Sequence, residues 1–223
     1  MVLVKITQVE KQKKHLSRFN IFLDGQFVFG ADEDLVVDRR LVVGKEISEG
    51  DLEKILFETQ VGKLMERIYG LFNIRMRSKK ELRDYLRNLS FKRKIKGQEE
   101  ISEMVIESTI ERAIKKGLID DEQFAKSWIE SRSKKYGVNR IKQELFQKGI
   151  DKEIINGIMN NELRIMEEET AEKALERKIN HWKNLEKIKF RKKAYDLLLR
   201  RGFDVEMVKN VVEKKVKELY NRE

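Results

Sequence analysis

The sequence of 223 residues contains no cysteine and no proline, and only two histidines, His15 and His181. Without cysteine, the chain cannot form a disulfide, a thiol nucleophile, an iron–sulfur cluster or a cysteine-based zinc site. Two histidines cannot build a multi-histidine metal site, and neither stands in a nucleophile motif. The sequence predicts that His15 is exposed in a loop, and it allows His181, beside Trp182, to be partly buried. These absences exclude most metal and thiol enzymology.

Long apolar runs are also missing, although 40% of the residues are hydrophobic and 39% are charged. The longest uncharged apolar runs are a few residues, so no membrane span is predicted. Residues 1–5 do not resemble a signal peptide, because the apolar stretch is short and no small-residue cleavage site follows. We therefore expect a soluble, globular, cytoplasmic protein. No glycine-rich phosphate loop and no nucleophile elbow occurs, so we predict no enzyme activity, no cofactor and no metal.

Positive charge is abundant but unevenly distributed. The formal net charge of the chain is +10. Residues 1–58 contain 9 Lys and Arg against 11 Asp and Glu, whereas residues 59–223 contain 40 against 28. The whole basic excess therefore belongs to the second part of the chain. Such asymmetry indicates two regions with different roles.

The first region has the alternation that is typical of β-strands. The pattern predicts strands at about 2–9, 18–23 and 26–30. Asp24-Gly25 lies between the last two, and an Asp-Gly pair flanked by alternating apolar residues is a strong hairpin signal. Asp32 is placed to cap a short helix that ends near Arg39, and residues 41–47 allow another short strand. The region carries no functional motif that we can interpret. Packing onto the first helical unit and a second contact to a partner both remain open.

From Ser48 onward the periodicity is helical throughout. Ser48 and Asp51 form a variant capping box at the start of this part. The most informative feature is an internal repeat of 53 residues. Its two clear copies have the same spacing, and they run through Ile141, Leu145, Gly149, Ile150, Ile154, Ile155 and Ile158, and through Ala194, Leu198, Gly202, Phe203, Met207, Val208 and Val211.

A degraded first copy reads Leu82, Leu86, Ser90, Phe91. Ser90 replaces the glycine of the other copies, and the basic insertion 92–97 delays the next helix, which resumes near Gln98 with an apolar stripe of Ile101, Met104, Val105, Ile110 and Ile114. Gly117, Gly149 and Gly202 each follow a helical run, as glycines just beyond a helix C-terminus do. Another amphipathic helix precedes each copy.

These patterns predict a mainly α fold. Three tandem three-helix repeats follow a small N-terminal region that contains a β-hairpin, and stacked units of this kind form an elongated curved body. We place the N-terminal region at 1–50 and the repeats at 51–117, 118–165 and 166–223. We expect a monomer.

Basic residues are concentrated on the middle helix of each repeat. Residues 75–96 contain ten Lys and Arg against two acids, residues 132–148 six against one, and residues 177–201 ten against two. A charge run is usually a solvated helix face, but these runs recur in register with the repeat and predict a surface for a polyanion. The candidate contacts are Lys79, Lys80, Arg83, Arg87, Lys134, Lys135, Arg140, Lys142, Lys189, Arg191, Lys192 and Lys193.

Two other groups of residues have a simpler structural interpretation. Phe124, Trp128 and Phe203 lie on apolar stripes and are predicted to be core residues. Tyr136 and Phe190 lie in basic segments and are the candidates for stacking on bases, although packing is favoured for both. The acidic run 120–122 resembles a cation site, but Asp120 and Gln123 have the spacing of a helix cap, which is the favoured interpretation.

Four motifs together resemble the regulatory protein RecX family. They are Arg77-Ser78-Lys79-Lys80-Glu81-Leu82 with Leu86, the stretch from Gly117-Leu118-Ile119-Asp120-Asp121 to Phe124-Ala125, Arg140-Ile141-Lys142-Gln143-Glu144-Leu145 with Lys148-Gly149-Ile150, and Arg201-Gly202-Phe203. The resemblance covers about residues 60–215, and some members have an N-terminal extension like this one. The first repeat departs from the pattern at Leu89-Ser90-Phe91.

The resemblance implies a non-enzymatic modulator that binds the RecA–DNA filament along its groove. It would restrain the ATPase, co-protease and strand-exchange activities of RecA in recombination, DNA repair and the SOS response. Weak, non-specific DNA binding by the isolated protein is expected. Two alternatives stay open: a stand-alone basic DNA-binding or architectural protein, since three-helix units also occur in helix-turn-helix proteins, and an enzyme whose constellation the sequence hides.

Overall fold

The computed structural model describes residues 3–13, 17–158, 161–182 and 184–220, and within 161–182 it describes the side chains from residue 167 onward. His15 lies outside these residues. The strands are β1 Leu3–Lys11, β2 Arg18–Leu23, β3 Gln26–Asp32 and β4 Glu46–Ser48. The helices are α1 Glu33–Asp38, α2 Glu49–Phe72, α3 Lys79–Ile95, α4 Glu103–Lys115, α5 Asp121–Ser133, α6 Val138–Gln147, α7 Lys152–Ile158, α8 Asn161–Trp182, α9 Lys187–Arg200 and α10 Val205–Tyr220.

The N-terminal strands form an antiparallel sheet in the order β3-β2-β1-β4. The predicted hairpin is confirmed, and Asp24 and Gly25 both have positive φ, 47° and 86°. Asp32 caps α1 by accepting from Leu35 N, as predicted, and Ser48 caps α2 by accepting from Asp51 N. One face of the sheet packs with α1 and the start of α2 around a buried cluster that includes Ile6, Ile21, Phe29, Leu41 and Ile55.

The helices are arranged as three successive three-helix groups, each around its own buried cluster. Leu64, Ile68, Leu82, Leu86 and Ile110 are among those buried in α2–α4. The α5–α7 cluster includes Phe124, Ile129, Ile141, Leu145 and Ile155, and the α8–α10 cluster includes Leu175, Phe190, Leu198, Phe203 and Val212. The mainly helical fold with a small N-terminal sheet is therefore confirmed.

The chain divides into two compact units. The first contains residues 1–77 and 82–119, and the second contains residues 78–81 and 120–223. The four-part division at residues 50, 117 and 165 stays a prediction.

The predicted helix ends hold at all three glycines. Gly117, Gly149 and Gly202 have φ values of 68°, 76° and 79°, in the left-handed region that favours glycine. In the two clear repeats, the next residue is buried: Ile150 is 3% exposed and Phe203 is 2% exposed. The glycine thus turns the chain so that an apolar side chain closes the end of the middle helix.

The first copy of the repeat differs from the alignment predicted above. The helix α3 does not end at Ser90 but continues to Ile95, so that Phe91 points outward and is 60% exposed. Ile101, which is 5% exposed, is held against Ser90 instead: the Ser90 Oγ donates to the Ile101 carbonyl (3.1 Å) and accepts from its N–H (2.9 Å). Placing Phe91 opposite Ile150 and Phe203 was therefore wrong.

The next helix also begins later than predicted. Ser102 accepts from Val105 N and caps α4, which starts at Glu103 rather than near Gln98. Met104 is 72% exposed and Ile114 is 40% exposed, so neither belongs to the buried stripe predicted for this helix. The reason is that residues 91–101 are used to extend α3 and to bring Ile101 back to Ser90.

Candidate basic interface

The two predicted arginines of α3 are bound by glutamates of α4. Arg83 donates from Nε (2.6 Å) and an Nη (2.8 Å) to the two carboxylate oxygens of Glu107. Arg87 forms an ion pair with Glu103. These hydrogen bonds with the glutamates raise the pKa of both guanidinium groups above the ordinary arginine value. Both arginines therefore hold α3 to α4 within the first unit.

The two lysines at the start of α3 belong to the second unit. The N–H of Lys79 donates to Asp121 Oδ1 (2.8 Å), and the Lys79 side chain is half-buried. The stem of Lys80 lies over Gly149, where an added Cβ would be 2.6 Å from Lys80 Cβ. Ser78 donates from Oγ to the Lys148 carbonyl (2.7 Å). The end of α6 is thus packed against residues 78–80.

Two of the three acidic residues at positions 120–122 cap helices, and the third, Glu122, pairs with Lys126 of its own helix. Asp120 accepts from Gln123 N (2.9 Å) and caps α5, as predicted. Asp121 accepts from the first N–H of α3, and burial raises the pKa of its carboxyl group above the ordinary value. In the described part of the chain, no group of three or more His, Asp or Glu side chains is arranged to hold a metal ion.

The helix α6 carries a polar network centred on Glu144. This carboxylate accepts from Arg132 (2.8 and 2.9 Å), Arg140 (3.2 Å) and the indole N–H of Trp128 (3.0 Å). Burial alone would raise the pKa of Glu144, but the hydrogen bonds from Arg132, Arg140 and Trp128 outweigh it and lower the pKa. Arg140 is therefore bound within the protein, as Arg83 and Arg87 are.

The ring of Tyr136 lies among three cations. Its centroid is 4.2 Å from the Arg140 guanidinium, 4.9 Å from that of Arg132 and 5.3 Å from the Lys135 ammonium. The ring is half-buried against the α5–α7 cluster. Phe190 is fully buried, and so are Phe124 and Phe203, whereas Trp128 is half-buried. The preference for packing is confirmed for Phe190, and the cation contacts of Tyr136 are cation–π interactions within the chain.

The helix α9 presents cations in a different way. Arg191 pairs with Glu213 of α10 (2.7 Å), and Lys189 pairs with Glu186 (3.1 Å). Lys192 and Lys193 are exposed, and neither forms an ion pair with any residue that the structure describes.

His181 is exposed rather than partly buried.

Nine of the twelve predicted contact residues fall into two classes. All four arginines are bound to glutamates: Arg83, Arg87, Arg140 and Arg191. Five lysines have no ion pair among the described residues: Lys134, Lys135, Lys142, Lys192 and Lys193. A lysine ammonium is a compact point charge that binds phosphate without the planar geometry that arginine requires. The available lysines are therefore suited to non-specific contact with a polyanion.

No sequence pattern indicated that the C-terminal end of α9 contacts the N-terminal end of α6. The carbonyl groups of Arg201 and Gly202 accept from the N–H groups of Gly137 (2.9 Å) and Asn139 (3.1 Å). A Cβ at Gly202 would lie 2.4 Å from Arg140 Cβ, and a Cβ at Gly137 would lie 2.4 Å from the Gly202 carbonyl. Carbonyl groups at the C-terminal end of α9 thus accept from N–H groups at the N-terminal end of α6, and neither set has a partner within its own helix. Gly202 and Gly137 allow the two helix ends to approach this closely because they have no Cβ.

The fold defines a class: a protein with a small N-terminal sheet that is followed along the chain by three successive three-helix groups. Three sequence models match the chain: "Regulatory protein RecX N-terminal domain" at residues 4–48, "RecX, second three-helix domain" at 120–157 and "RecX, third three-helix domain" at 166–212. The chain belongs to the RecX family of regulatory proteins, as its motifs predicted.

Similar proteins cover nearly the whole chain. "Regulatory protein RecX" of Clostridium beijerinckii is 30% identical, over 95% of this chain and 96% of the relative. That of Bacillus subtilis is 30% identical, over 91% and 74%. A structure titled "Crystal structure of regulatory protein RecX" has a TM-score of 0.76 at 24% identity, over 94% of this chain and 99% of the other. At that identity the likeness concerns the fold alone.

None of the described helices is long and apolar enough to cross a membrane.

Proposed function

We propose that this protein binds the RecA–DNA filament and modulates it, mostly by inhibiting ATP hydrolysis, co-protease activity and strand exchange. Its membership of the RecX family is the observation that carries the proposal. Such a protein acts in the cytoplasm, where it would limit recombination, DNA repair and the SOS response. A filament on DNA combines phosphates with protein surface, so it offers partners both for free lysines and for apolar groups.

The lysines without ion pairs are the proposed electrostatic contacts. Lys134 and Lys135 follow α5, Lys142 belongs to α6, and Lys192 and Lys193 are exposed on α9. Together with Lys79, Lys80 and Lys189 they would bind phosphates or acidic protein surface. The four arginines would act indirectly. Arg83, Arg87 and Arg191 pair with glutamates of a neighbouring helix, and Arg140 pairs with Glu144 of its own helix. Contacts made by lysine alone are expected to be non-specific in sequence and sensitive to salt.

The first experiment is a titration of RecA ATPase activity on single-stranded DNA with the purified full-length protein. Inhibition at well below one molecule per RecA protomer is expected, because a molecule bound in the filament affects its neighbours. No inhibition, together with co-sedimentation on DNA without RecA, would contradict the proposal. That outcome would indicate a DNA-binding protein. A steep salt dependence would support this alternative, because the logarithm of the affinity for duplex DNA falls with the logarithm of the salt concentration with a slope of roughly −0.9 per phosphate contact.

A charge reversal on α9 tests the proposed contacts directly. The double variant Lys192→Glu/Lys193→Glu should raise the concentration needed for half-inhibition about tenfold, with an unchanged helical CD signal. Lys209→Glu/Lys217→Glu on α10 is the matched control, because it changes the net charge equally, in the same three-helix group, at exposed lysines outside the predicted set. Equal effects of the two pairs would mean that only net charge matters, and no effect of either would remove α9 from the interface.

A further inference from the structure

The end of α3 has a segment that the equivalent helices lack. In the repeat, α6 and α9 stop at Gln147 and Arg200, just before Gly149 and Gly202, whereas α3 passes Ser90 and continues to Ile95. The chain then turns at Gly97, which has φ of 67°. The added residues, 91–95, are not needed to close the helix end, because Ile101 is bound to Ser90 for that purpose. Packing of the hydrophobic core in its own unit therefore does not explain why α3 is extended.

Two large apolar side chains of this extension are in water. Phe91 is 60% exposed, and Ile95 is 69% exposed. They are four residues apart, so they lie next to each other on one face of the helix. The other residues of the segment, Lys92, Arg93 and Lys94, are cationic, and Lys96 follows it. An exposed aromatic and aliphatic pair inside a basic run buries nothing in the described structure, but it is suitable as an anchor for a partner.

A shallow groove of about 570 Å³ runs beside Phe91. Its apolar lining comes from Phe91, Ile101 and Ile106. Two exposed ion pairs stand at its sides, between Arg87 and Glu103 and between Lys94 and Glu100 (2.8 Å). Lys92 and Lys96 are exposed nearby in the chain, and neither forms an ion pair with any described residue.

This arrangement favours protein over nucleic acid as the occupant. The apolar lining of the groove consists of one aromatic ring, Phe91, and two isoleucines, and Ile95 is exposed one turn further along α3. This mixed aromatic and aliphatic surface suits an apolar side chain better than a base. The carboxylates of Glu100 and Glu103 already neutralise Lys94 and Arg87, so the sides of the groove offer no unpaired cation to a phosphate backbone. Lys92 and Lys96 remain available for carboxylates that flank an apolar anchor. An apolar centre with a charged rim is the usual composition of a protein–protein interface.

We infer that the extended end of α3 is a docking site for a protein segment that presents an apolar side chain flanked by acidic residues. The inference rests on the proposed function, in which the protein subunits of the filament supply that segment. The first unit would therefore bind an apolar side chain of a RecA subunit, whereas the lysines without ion pairs in the second unit would bind phosphates or acidic protein surface.

A photocrosslinker distinguishes the possible occupants. p-Benzoylphenylalanine is placed at position 91 of the full chain, and the protein is bound to RecA filaments on fluorescently labelled oligo-dT and irradiated. We expect an adduct that contains the RecA subunit and no DNA label. An adduct with the labelled DNA, or with a second copy of this chain, would overturn the inference. So would the absence of any adduct while the protein still co-sediments with the filament.

Two pairs of substitutions test the apolar and the charged parts. Phe91→Gln/Ile95→Gln should weaken co-sedimentation with the filament about tenfold, and Lys92→Glu/Lys96→Glu should also weaken it. The matched control is Phe27→Gln/Val28→Gln in β3, an aromatic and aliphatic pair that is 58% and 39% exposed, which should change binding less than twofold. Far-UV CD checks the fold of each variant.

The outcomes separate this inference from the proposed function. If the wild-type protein does not co-sediment with RecA filaments, the proposed function fails and the docking site fails with it. If the wild type binds but the Phe91/Ile95 variant binds equally well, only the docking site is wrong. Tighter binding of the Lys92/Lys96 variant would also overturn the inference, because the partner segment would then not be acidic.

Discussion

The helices α6 and α9 have the same spacing of buried residues, but they differ in how their cationic side chains are paired. Ile141 and Leu145 in α6 correspond to Ala194 and Leu198 in α9, and all four are buried. Glu144 in α6 binds two arginines and an indole, whereas Leu197 stands at the equivalent position of α9. Lys193, at the position equivalent to Arg140, consequently has no carboxylate one turn further on, and it is exposed, as Lys192 is. The repeat preserves the scaffold, and the polar residues added to it decide which cations are available to a partner.

The largest expected effect concerns the contact between the C-terminal end of α9 and the N-terminal end of α6, called the joint below. Gly202→Ala should lower the free energy of unfolding by about 3 kcal/mol, because it combines a left-handed backbone with a collision against Arg140. Gly117→Ala is the control, since Gly117 has a similar φ of 68° but nothing within 4 Å of an added Cβ. It should cost only about 1 kcal/mol. Urea unfolding followed by far-UV CD measures both, and equal costs would mean that the joint tolerates a side chain.

The second prediction removes the charge at the centre of the α6 network. Glu144→Gln should cost about 2 kcal/mol, because Arg132 and Arg140 lose charge-assisted hydrogen bonds. The pKa of Glu144 is lowered in the folded protein, so its contribution is present above the ordinary carboxyl pKa of 4.5 and is lost as the pH falls further. The variant should therefore lose less stability on acidification than the wild type.

Urea unfolding at about pH 7 and pH 3 checks this prediction. Glu130→Gln, an exposed glutamate of α5, is the control and should behave like the wild type. If Glu144→Gln lost as much stability as the wild type between the two pH values, the network would not account for the pH dependence of this unit.

The third prediction extends the comparison to α3. Ser90→Ala leaves both backbone groups of Ile101 without their partner and should cost about 2 kcal/mol. Ser90→Gly restores the residue found in the other two copies, yet it should also destabilise, because position 90 is inside a helix in this copy. Ser131→Ala, at an exposed position, should change stability by less than about 0.5 kcal/mol. A stabilising Ser90→Gly would show that α3 can end where α6 and α9 end.

Much of the fold could be predicted because its signals are local. The Asp24-Gly25 turn, the caps at Asp32, Ser48 and Asp120, and the glycines after three helices each depend on a few adjacent residues. The repeat spacing correctly marked the buried positions of α6 and α9. The error at Phe91 arose where a local pattern was extended through a segment whose course depends on a distant contact, the one between Ser90 and Ile101.

The candidate interface was less predictable, since the sequence showed where cations are concentrated but not which ones are neutralised. Glu107 is 24 residues from Arg83, and Glu213 is 22 residues from Arg191. Those pairs form only when two helices pack, and no spacing rule within a single helix identifies them. The contact residues themselves stay predictions.

By itself, the sequence determined the kinds of elements, their order, the helix ends that a glycine or a capping residue marks, and the family, because backbone preferences, periodicity and motifs depend on neighbouring residues. Tertiary structure alone decided that Arg83, Arg87 and Arg191 are bound by glutamates of neighbouring helices. It also decided that the end of α9 meets the start of α6, and that Phe91 and Ile95 face water. Each of these depends on groups far apart in the chain, which become neighbours only when the apolar stripes of different helices are buried together.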